Sequence, residues 1–270
     1  MAIVPDHDDF SLAPYSLAGQ CAIVTGAGSG IGRATARLFA MAGARVALAD
    51  IDAAAARAVT EEIAASQGKA IAVACDISDE EQVQALFAEV AAQFGPPDVL
   101  ASVAAYRKKH DTMRMTPAEW DQMHAVTARG TFLCMRQAIR AMLATGKGGS
   151  IVNVSSIAAI RPVVFNSMDY DSAKAGVNAM TRAAAAEFSE HGIRVNAVLP
   201  GGTNSAGAGR MGGSGEPVRI HGPITQPGRV PMQRIAEPIE QARAILFLAS
   251  PASSYITGQL LAVEGGALLS

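Results

Sequence analysis

Short, uninterrupted apolar runs recur along the chain and are separated by longer stretches that mix apolar and polar residues. An apolar run of this kind is typical of a strand that is buried on both faces of a sheet. Strands are predicted on this basis at residues 21–24, 44–49, 70–75, 99–104, 150–155, 193–199 and 260–263.

Helices are predicted in the mixed stretches between these strands. Helix-forming residues, with glycines or prolines after them, mark their limits. The predicted helices lie at residues 33–42, 53–66, 79–94, 117–143, 170–190 and 237–249. The fourth is predicted as one continuous helix that starts at a capping box formed by Thr116 and Glu119.

The alternation of strands and helices predicts an α/β fold, a Rossmann-like doubly wound parallel β-sheet with helices on both faces. We expect a single domain over residues 19–270, preceded by an N-terminal extension at residues 1–18. Residues 202–232 hold many glycines and prolines and show no hydrophobic period. They are therefore predicted to form a substrate loop or lid.

The composition excludes several classes of function. The 22 basic and 24 acidic residues give a net charge of −2, which indicates no nucleic-acid partner. The chain has no run of 18 apolar residues and no secretory pattern at its start, so we expect no membrane span and a cytoplasmic protein. Cys21, Cys75 and Cys134 are scattered and odd in number, which favours free thiols in a reducing compartment.

The turn between the first predicted strand and helix is rich in glycine. Gly26, Gly30 and Gly32 follow Thr25 in the pattern Thr-Gly-x-x-x-Gly-x-Gly. A strand-to-helix turn aims backbone N–H groups and the positive end of the helix at one point, which suits a pyrophosphate. Glycine lets the phosphate approach the backbone closely. For the motif alone, an ordinary glycine-rich turn is the alternative interpretation.

Asp50 ends the second predicted strand and follows the glycine motif at the spacing of a ribose-binding carboxylate. Such a carboxylate accepts hydrogen bonds from the adenosine ribose hydroxyls and would repel a 2′-phosphate. This favours NAD as the cofactor. Arg33 and Arg45 argue for NADP, because either side chain is able to bind a phosphate.

Tyr170 and Lys174 stand four residues apart on a predicted helix, so their side chains share one face. A tyrosine hydroxyl ordinarily ionises near about pH 10, and a neighbouring ammonium group stabilises the phenolate. Ser155 and Ser156 end the fifth predicted strand, where the active-site residues of open α/β sheets gather. A hydroxyl at that position is able to hold a substrate oxygen.

Together these motifs resemble the short-chain dehydrogenase/reductase family, and the resemblance extends over residues 18–267. Segments 196–201 and 256–266 add to it. The resemblance implies that Tyr170 is the acid/base and that Lys174 tunes it and holds the nicotinamide ribose. It further implies that Ser156, with Ser155 as the alternative, holds the substrate oxygen.

The resemblance also implies a cofactor site. The residues that correspond to the family's binding positions are Gly26, Ser29, Gly30, Ile31, Gly32, Asp50, Asp76, Ile77, Val103, Tyr170, Lys174, Gly201 and Thr203. Ser29 stands where NADP-binding members often carry a basic residue, which again favours NAD. For Asp76, a helix-capping role is the alternative.

The chain departs from the family pattern at two places. Residues 102–105 read Ser-Val-Ala-Ala where the family often has Asn-Asn-Ala-Gly. Thr127 stands where the family usually has a catalytic asparagine, which positions a proton-relaying water. A threonine hydroxyl holds such a water differently or not at all, and Thr127 is therefore a candidate catalytic residue whose role stays open.

The sequence predicts an NAD-dependent oxidoreductase that transfers a hydride between a nicotinamide cofactor and a secondary alcohol or ketone. One alternative is a dinucleotide-binding regulatory or scaffold protein without turnover, which the missing asparagine favours slightly. Another is an epimerase or dehydratase on the same fold, which the short C-terminal region disfavours. We expect a homo-oligomer, a dimer or tetramer, and predict no metal site.

A basic stretch, Arg107–His110, follows the fourth predicted strand at its carboxyl end. The favoured interpretation is a loop whose charges face water. The alternative is that one of these residues binds an anionic group of the substrate. Arg107 is then the best candidate, because it is the closest of them to the end of the strand.

Overall fold

The structure, a computed structural model, describes residues 13–106, 108, 111–204 and 221–270. These residues form a parallel sheet of seven strands in the order β3-β2-β1-β4-β5-β6-β7. The strands are β1 Cys21–Thr25, β2 Arg45–Asp50, β3 Lys69–Ala74, β4 Val99–Ser102, β5 Gly149–Val154, β6 Ile193–Pro200 and β7 Leu260–Val263. The expectation of a doubly wound parallel sheet is confirmed.

Helices cover both faces of this sheet. They are α1 Gly30–Met41, α2 Ala53–Ala65, α3 Glu80–Phe94, α4 Pro117–His124, α5 Thr131–Thr145, α6 Met168–Phe188 and α7 Pro238–Ala249. Phe39 of α1 and Ile245 of α7 are buried in the apolar layer on one face. Phe87 of α3 and Met142 of α5 are buried in the layer on the other face. Two apolar cores therefore hold the strands between them.

The long helix predicted over residues 117–143 is present as one uninterrupted helical path, but its middle is π-helical. It begins as expected, because Thr116 and Glu119 form a reciprocal capping box with Pro117 at the first helical position. A π-helical turn, Ala125–Gly130, then separates α4 from α5. A π-helical turn contains one residue more than an α-helical turn, and the pattern of apolar residues along the helix does not reveal this insertion.

The segment before β1 contacts the domain. Leu17 has no exposed surface, and its N–H donates to the carbonyl oxygen of Ala42 over 2.8 Å. The described end of the predicted extension thus packs on the fold. Within the described residues, no helix is long and apolar enough to cross a membrane.

The carboxyl ends of the strands define one edge of the sheet. β1 pairs with both β2 and β4, and the chain turns to opposite faces of the sheet on either side of β1. Ligands of open α/β sheets bind at such a switch point. The loops after β1, β4, β5 and β6 therefore meet where the sequence places its candidate residues.

Candidate active site

Two cavities adjoin each other at the carboxyl edge of the sheet. We call the first, of about 560 Å³, the glycine cleft, because the β1–α1 turn lines it. We call the second, of about 510 Å³, the tyrosine cavity, because it contains Tyr170 and Ser156. Lys108 and Ser155 line both cavities and so lie where the two meet.

The β1–α1 turn approaches its neighbours too closely for side chains. Gly26 has φ 64°, and a Cβ there would lie 2.8 Å from the Cα of Ala104. A Cβ on Gly32 would overlap the carbonyl oxygen of Gly26. α1 begins at Gly30 after an extended Ser29, whose side chain makes no capping bond among the described residues. The first N–H groups of α1 are thus left to bind an anion in the glycine cleft.

Thr25 ties the glycine turn to the loop after β4. Its Oγ1 accepts hydrogen bonds from the N–H groups of Val103, at 3.1 Å, and Ala104, at 3.2 Å. This brings Val103 to the wall of the glycine cleft. Sequence reasoning counted Thr25 in the motif but missed this cross-link, which requires knowing that β4 lies beside β1.

Asp50 faces the glycine turn from the end of β2. Its Oδ2 accepts the N–H of Gly28 and its Oδ1 accepts the N–H of Asp52, at 2.8 and 2.9 Å. The carboxylate therefore organises the turn. It also lines the glycine cleft, where oxygen lone pairs remain for ribose hydroxyls.

The two arginines that argued for NADP are engaged elsewhere. Nη2 of Arg33 donates to both carboxylate oxygens of Glu62, each at 2.8 Å, and Nε donates to one of them at 3.2 Å. Arg45 begins β2, at the opposite edge of the sheet, and donates to the carbonyl oxygen of Gly19. Neither residue lines the glycine cleft.

Asp76 and Ile77 lie on the next wall of the glycine cleft. Oδ1 of Asp76 accepts the N–H and the hydroxyl of Ser78, at 2.9 and 2.7 Å, so this carboxylate fixes the turn before α3. The side chain that caps α3 is Asp79 instead. Gly130, in the π-helical turn, leaves room for Ile77, since a Cβ there would lie 2.8 Å from its Cδ1.

Tyr170 and Lys174 lie on one face of α6, as predicted, at the junction of the cavities. Nζ of Lys174 is 5.8 Å from the centre of the Tyr170 ring and donates to the carbonyl oxygen of Val154 over 2.5 Å. Lys174 is only 2% exposed and lines the glycine cleft, whereas Tyr170 lines the tyrosine cavity. The helix thus presents a phenol hydroxyl to one cavity and an ammonium group to the other.

The two serines after β5 have different hydrogen bonds. The hydroxyl of Ser155 donates to the carbonyl oxygen of Lys174 at 3.1 Å. The hydroxyl of Ser156 instead accepts the N–H of Ala158 at 3.1 Å, as the N-cap of a short 3₁₀ turn at Ile157–Ala159. The proton of Ser156 is therefore directed to another acceptor, and its oxygen lines the tyrosine cavity.

Thr127 lies behind the site. It is fully buried in the π-helical turn and lines neither cavity. The hydroxyl of Thr127 accepts the N–H of Tyr106 at 3.3 Å and donates its own proton to the Sδ of Met123 at 3.6 Å. The carbonyl oxygen of Thr127 accepts the hydroxyl of Thr131 at 2.8 Å. Contact with the cleft is therefore indirect, through the loop after β4.

The structure brings most of the predicted cofactor residues together. The glycine cleft is lined by Gly26, Ser29, Gly30, Ile31, Gly32, Asp50, Asp76, Ile77, Val103 and Lys174. Gly201 and Thr203 line the tyrosine cavity with Tyr170. The hydroxyl of Thr203 donates to the carbonyl oxygen of Gly201 and accepts from Nε2 of Gln241.

Parts of two predicted segments lie outside the described residues. Of the basic stretch, Arg107, Lys109 and His110 lie outside the described residues, and with them both the predicted water-facing loop and its alternative, an anion contact of Arg107. Lys108 is half-exposed at the cavity junction, and its Nζ lies 3.6 Å from a carboxylate oxygen of Glu119. Residues 205–220 of the predicted lid are also outside the described part, while its flanks at 202–203 and 224–232 contribute to the tyrosine cavity.

Two acidic side chains in the tyrosine cavity have partners within the protein. Arg234 donates to both carboxylate oxygens of Glu240, at 2.7 and 2.6 Å, and these hydrogen bonds lower the pKa of Glu240 to about 2. Glu264 accepts the N–H groups of Gly266 and Leu268. In the glycine cleft, burial raises the pKa of Cys75 to about 11, so this thiol is a poor nucleophile at neutral pH.

Comparison with known proteins agrees with this geometry. A family model described as enoyl-(acyl carrier protein) reductase matches residues 26–267. The 2,5-dichloro-2,5-cyclohexadiene-1,4-diol dehydrogenase of Sphingobium indicum is 42% identical in an alignment of 256 residues that covers 93% of this chain and 97% of that protein.

Solved structures of similar proteins contain either form of the nicotinamide cofactor. A 7α-hydroxysteroid dehydrogenase complexed with NADH and 7-oxo glycochenodeoxycholic acid has a TM-score of 0.85 and 32% identity, covering 95% of this chain and 97% of that one. A protein described as an NAD(P)-dependent gluconate 5-dehydrogenase from Beutenbergia cavernae, with bound NADP at low occupancy, has the same TM-score and 36% identity, covering 95% and 100%.

The glycine turn fits a nicotinamide dinucleotide, because its missing side chains and the free end of α1 leave backbone N–H groups for the pyrophosphate. The Tyr170–Lys174 pair stands where that cleft meets the second cavity. With the family model covering most of its length, the chain belongs to the short-chain dehydrogenase/reductase family, whose members are oxidoreductases that use a nicotinamide cofactor.

Proposed function

We propose that the protein is an NAD-dependent dehydrogenase that interconverts a secondary alcohol and its ketone. The observation that carries this proposal is that Tyr170 and Ser156 line the tyrosine cavity, while Lys174, with its Nζ 5.8 Å from the Tyr170 ring, lines the adjoining glycine cleft. A substrate in the tyrosine cavity places its carbinol beside a phenol and a serine hydroxyl. The adjoining glycine cleft is open to the cofactor.

In this proposal, Ser156 donates a hydrogen bond to the substrate oxygen, since its own oxygen already accepts the N–H of Ala158. Tyr170 takes the hydroxyl proton during oxidation and returns it during reduction. The buried ammonium of Lys174 stabilises the phenolate, and the carbonyl oxygen of Val154 holds that ammonium in place. When bound, the nicotinamide ring supplies or accepts the hydride.

The proposed cofactor residues are those of the glycine cleft, with Gly201 and Thr203 beside the nicotinamide. Asp50 would bind the adenosine ribose, and its charge would repel a 2′-phosphate. Arg33 is neutralised by Glu62 and Arg45 lies at the far edge of the sheet, so neither supports NADP. These contacts support NAD as the preferred cofactor.

Thr127 would act through the loop after β4 rather than on a water. Its hydroxyl holds the N–H of Tyr106, which lines the glycine cleft, and its carbonyl oxygen is already bonded to Thr131. We assign it a positioning role in place of the family's catalytic asparagine. This accounts for an active site without that asparagine.

We also propose a cytoplasmic homo-oligomer, a dimer or tetramer. The three cysteines are buried free thiols, as expected in a reducing compartment. Phe132 and Leu143 on α5 keep about two fifths of their surface exposed, which supports burial against another subunit. Light scattering measures the mass; a monomer at micromolar concentration would contradict the oligomer.

A screen of secondary alcohols tests the proposed reaction. Purified protein is incubated with NAD or NADP and a panel that includes cyclic alcohols, cyclic diols and polyols, and reduced cofactor is followed by absorbance. We expect turnover with NAD at a higher kcat/KM than with NADP. Tight cofactor binding without turnover of any alcohol or ketone would support a regulatory or scaffold protein instead.

A further inference from the structure

The loop before α6 contains a residue in a rare backbone conformation. Asn166 has φ 57°, in the left-handed region, where asparagine is one of the few tolerated residues other than glycine. Its side chain lines the tyrosine cavity. Within the described part of the chain, its amide makes no hydrogen bond to the protein. An unusual φ at a cavity wall is a reason to look for a function.

The conformation of this loop is fixed from both sides. The N–H of Phe165 donates to the carbonyl oxygen of His221, and the N–H of Ile224 donates to that of Val163, each at 3.0 Å. The hydroxyl of Ser167 donates to the carbonyl oxygen of Val164 at 2.9 Å. These bonds fix the backbone that carries Asn166 before a ligand arrives, so that only its side-chain torsions remain to be ordered on binding.

The wall around Asn166 is mainly apolar. The apolar side chains on it include Ile157, Val163, Val164, Ile224, Val230 and Met232. The charged groups that line this cavity have partners in the protein: Arg234 pairs with Glu240, and Glu264 accepts two backbone N–H groups. Asp169 accepts the N–H of Tyr170, and Nζ of Lys108 lies 3.6 Å from a carboxylate oxygen of Glu119. The amide of Asn166 is thus a neutral polar group that both donates and accepts.

These features match a substrate with a second hydroxyl on a compact apolar frame. A hydroxyl donates and accepts as an amide does, whereas a carboxylate would use only the amide N–H and leave its carbonyl oxygen without a donor. A ring of six carbons fits within the cavity of about 510 Å³. Apolar walls favour the ring and Asn166 binds the polar substituent.

We propose that Asn166 is a specificity-determining residue that binds a second hydroxyl of the substrate, so that cyclic diols are preferred over the corresponding mono-alcohols. The proposal rests on the proposed function, because Tyr170 must oxidise the first hydroxyl. It adds the substrate class and the residue that selects it.

The test compares Asn166→Gly with the wild type on cyclohexanol, 1,2-cyclohexanediol and 1,4-cyclohexanediol. Glycine accepts the left-handed φ and removes only the amide. We expect the wild type to prefer a diol. In the variant, kcat/KM for that diol should fall about tenfold, mainly through KM, while the value for cyclohexanol stays within about twofold. Thermal stabilisation by the diol in the presence of cofactor should fall in parallel.

Asn166→Ala is the matched control. It also removes the amide but strains the backbone, so it should lose the diol preference like the glycine variant while lowering Tm, which the glycine variant should not. An equal loss on cyclohexanol and diols in both variants, or an unchanged diol preference in Asn166→Gly, overturns the role of Asn166. Absence of turnover for every alcohol in the wild type overturns the proposed function, and this proposal with it.

Discussion

The glycine cleft and the tyrosine cavity are similar in size but are built in different ways. One wall of the glycine cleft is the β1–α1 turn, where Gly26 and Gly32 lie against neighbouring backbone atoms with no room for a side chain. The tyrosine cavity is formed by side chains from separate loops after β5, before α6, after β6 and before α7. A main-chain site constrains which residues are possible, whereas a side-chain site permits many solutions.

This difference separates recognition of the cofactor from recognition of the substrate. A backbone cradle recognises a pyrophosphate in any sequence that leaves room for it. A side-chain cavity recognises whatever its loops present, here apolar groups with Asn166 among them. Substitutions in the two regions should therefore fail in different ways, in cofactor affinity on one side and in turnover or substrate choice on the other.

Tyr170→Phe should have the largest effect on turnover and the smallest effect on cofactor affinity. It removes the ionisable hydroxyl from the tyrosine cavity and keeps the ring, so kcat should fall by ~10²–10⁴-fold with cofactor affinity nearly unchanged. Steady-state kinetics and cofactor titration by fluorescence measure the two quantities. The fully exposed Tyr255, changed to Phe, is the control. Retention of more than a tenth of kcat, with chemistry rate-limiting, would remove Tyr170 from the acid/base role.

Gly32→Ala should produce the opposite pattern. The added methyl group overlaps the carbonyl oxygen of Gly26, and overpacking of ~1–3 kcal/mol should weaken cofactor binding by up to about 100-fold. Calorimetry measures the affinity, and circular dichroism checks folding. Gly176→Ala on α6 is the matched control, because a Cβ there meets nothing within 4 Å and should leave binding intact. Equal affinities in the two variants would show that the main-chain cradle does not decide binding.

Asp50 tests whether any selectivity in the glycine cleft comes from a side chain. Asp50→Ala should lower kcat/KM for NAD about tenfold, since it removes a charged hydrogen-bond acceptor of ~1.5 kcal/mol. The ratio of kcat/KM with NAD to kcat/KM with NADP should also decrease. Asp50→Asn removes the charge but keeps one oxygen for the N–H of Gly28 or Asp52. If charge sets the preference, asparagine should relax it as well; a wild type that prefers NADP would contradict this interpretation.

The sequence predicted the fold well because the sheet is central and buried. Every residue of β1 is buried, and all but Thr25 at its end are apolar, so the strand appears in the sequence as a short apolar run. The glycine motif was visible for a similar reason, since Gly26 and Gly32 have steric requirements that only one residue type meets. Helical spacing placed Tyr170 and Lys174 on one face of a helix, and the resemblance to the family identified them as the reactive pair.

Features that depend on contacts between distant segments escaped the sequence. The bonds from Thr25 to the loop after β4 require the β1–β4 pairing, which sequence order does not give. The left-handed φ of Asn166 occurs in a loop whose backbone is hydrogen bonded to His221 and Ile224, which are distant in the sequence. The different hydrogen bonds of Ser155 and Ser156 also depend on tertiary contacts, because the hydroxyl of Ser155 donates to the carbonyl oxygen of Lys174 on α6.

The π-helical turn at Ala125–Gly130 rotates the faces of α5 relative to those of α4 within one long helical path. One extra residue in a turn advances the following helix by about 100° relative to a regular α-helix. Thr127 can therefore face the loop beside the glycine cleft while Leu133 and Met142 of α5 still face the core. Deletion of one polar residue in this turn would keep every apolar residue of the helix. It would nevertheless remove this rotation, so that the contact of Thr127 with Tyr106 and the burial of Leu133 and Met142 could not both be kept.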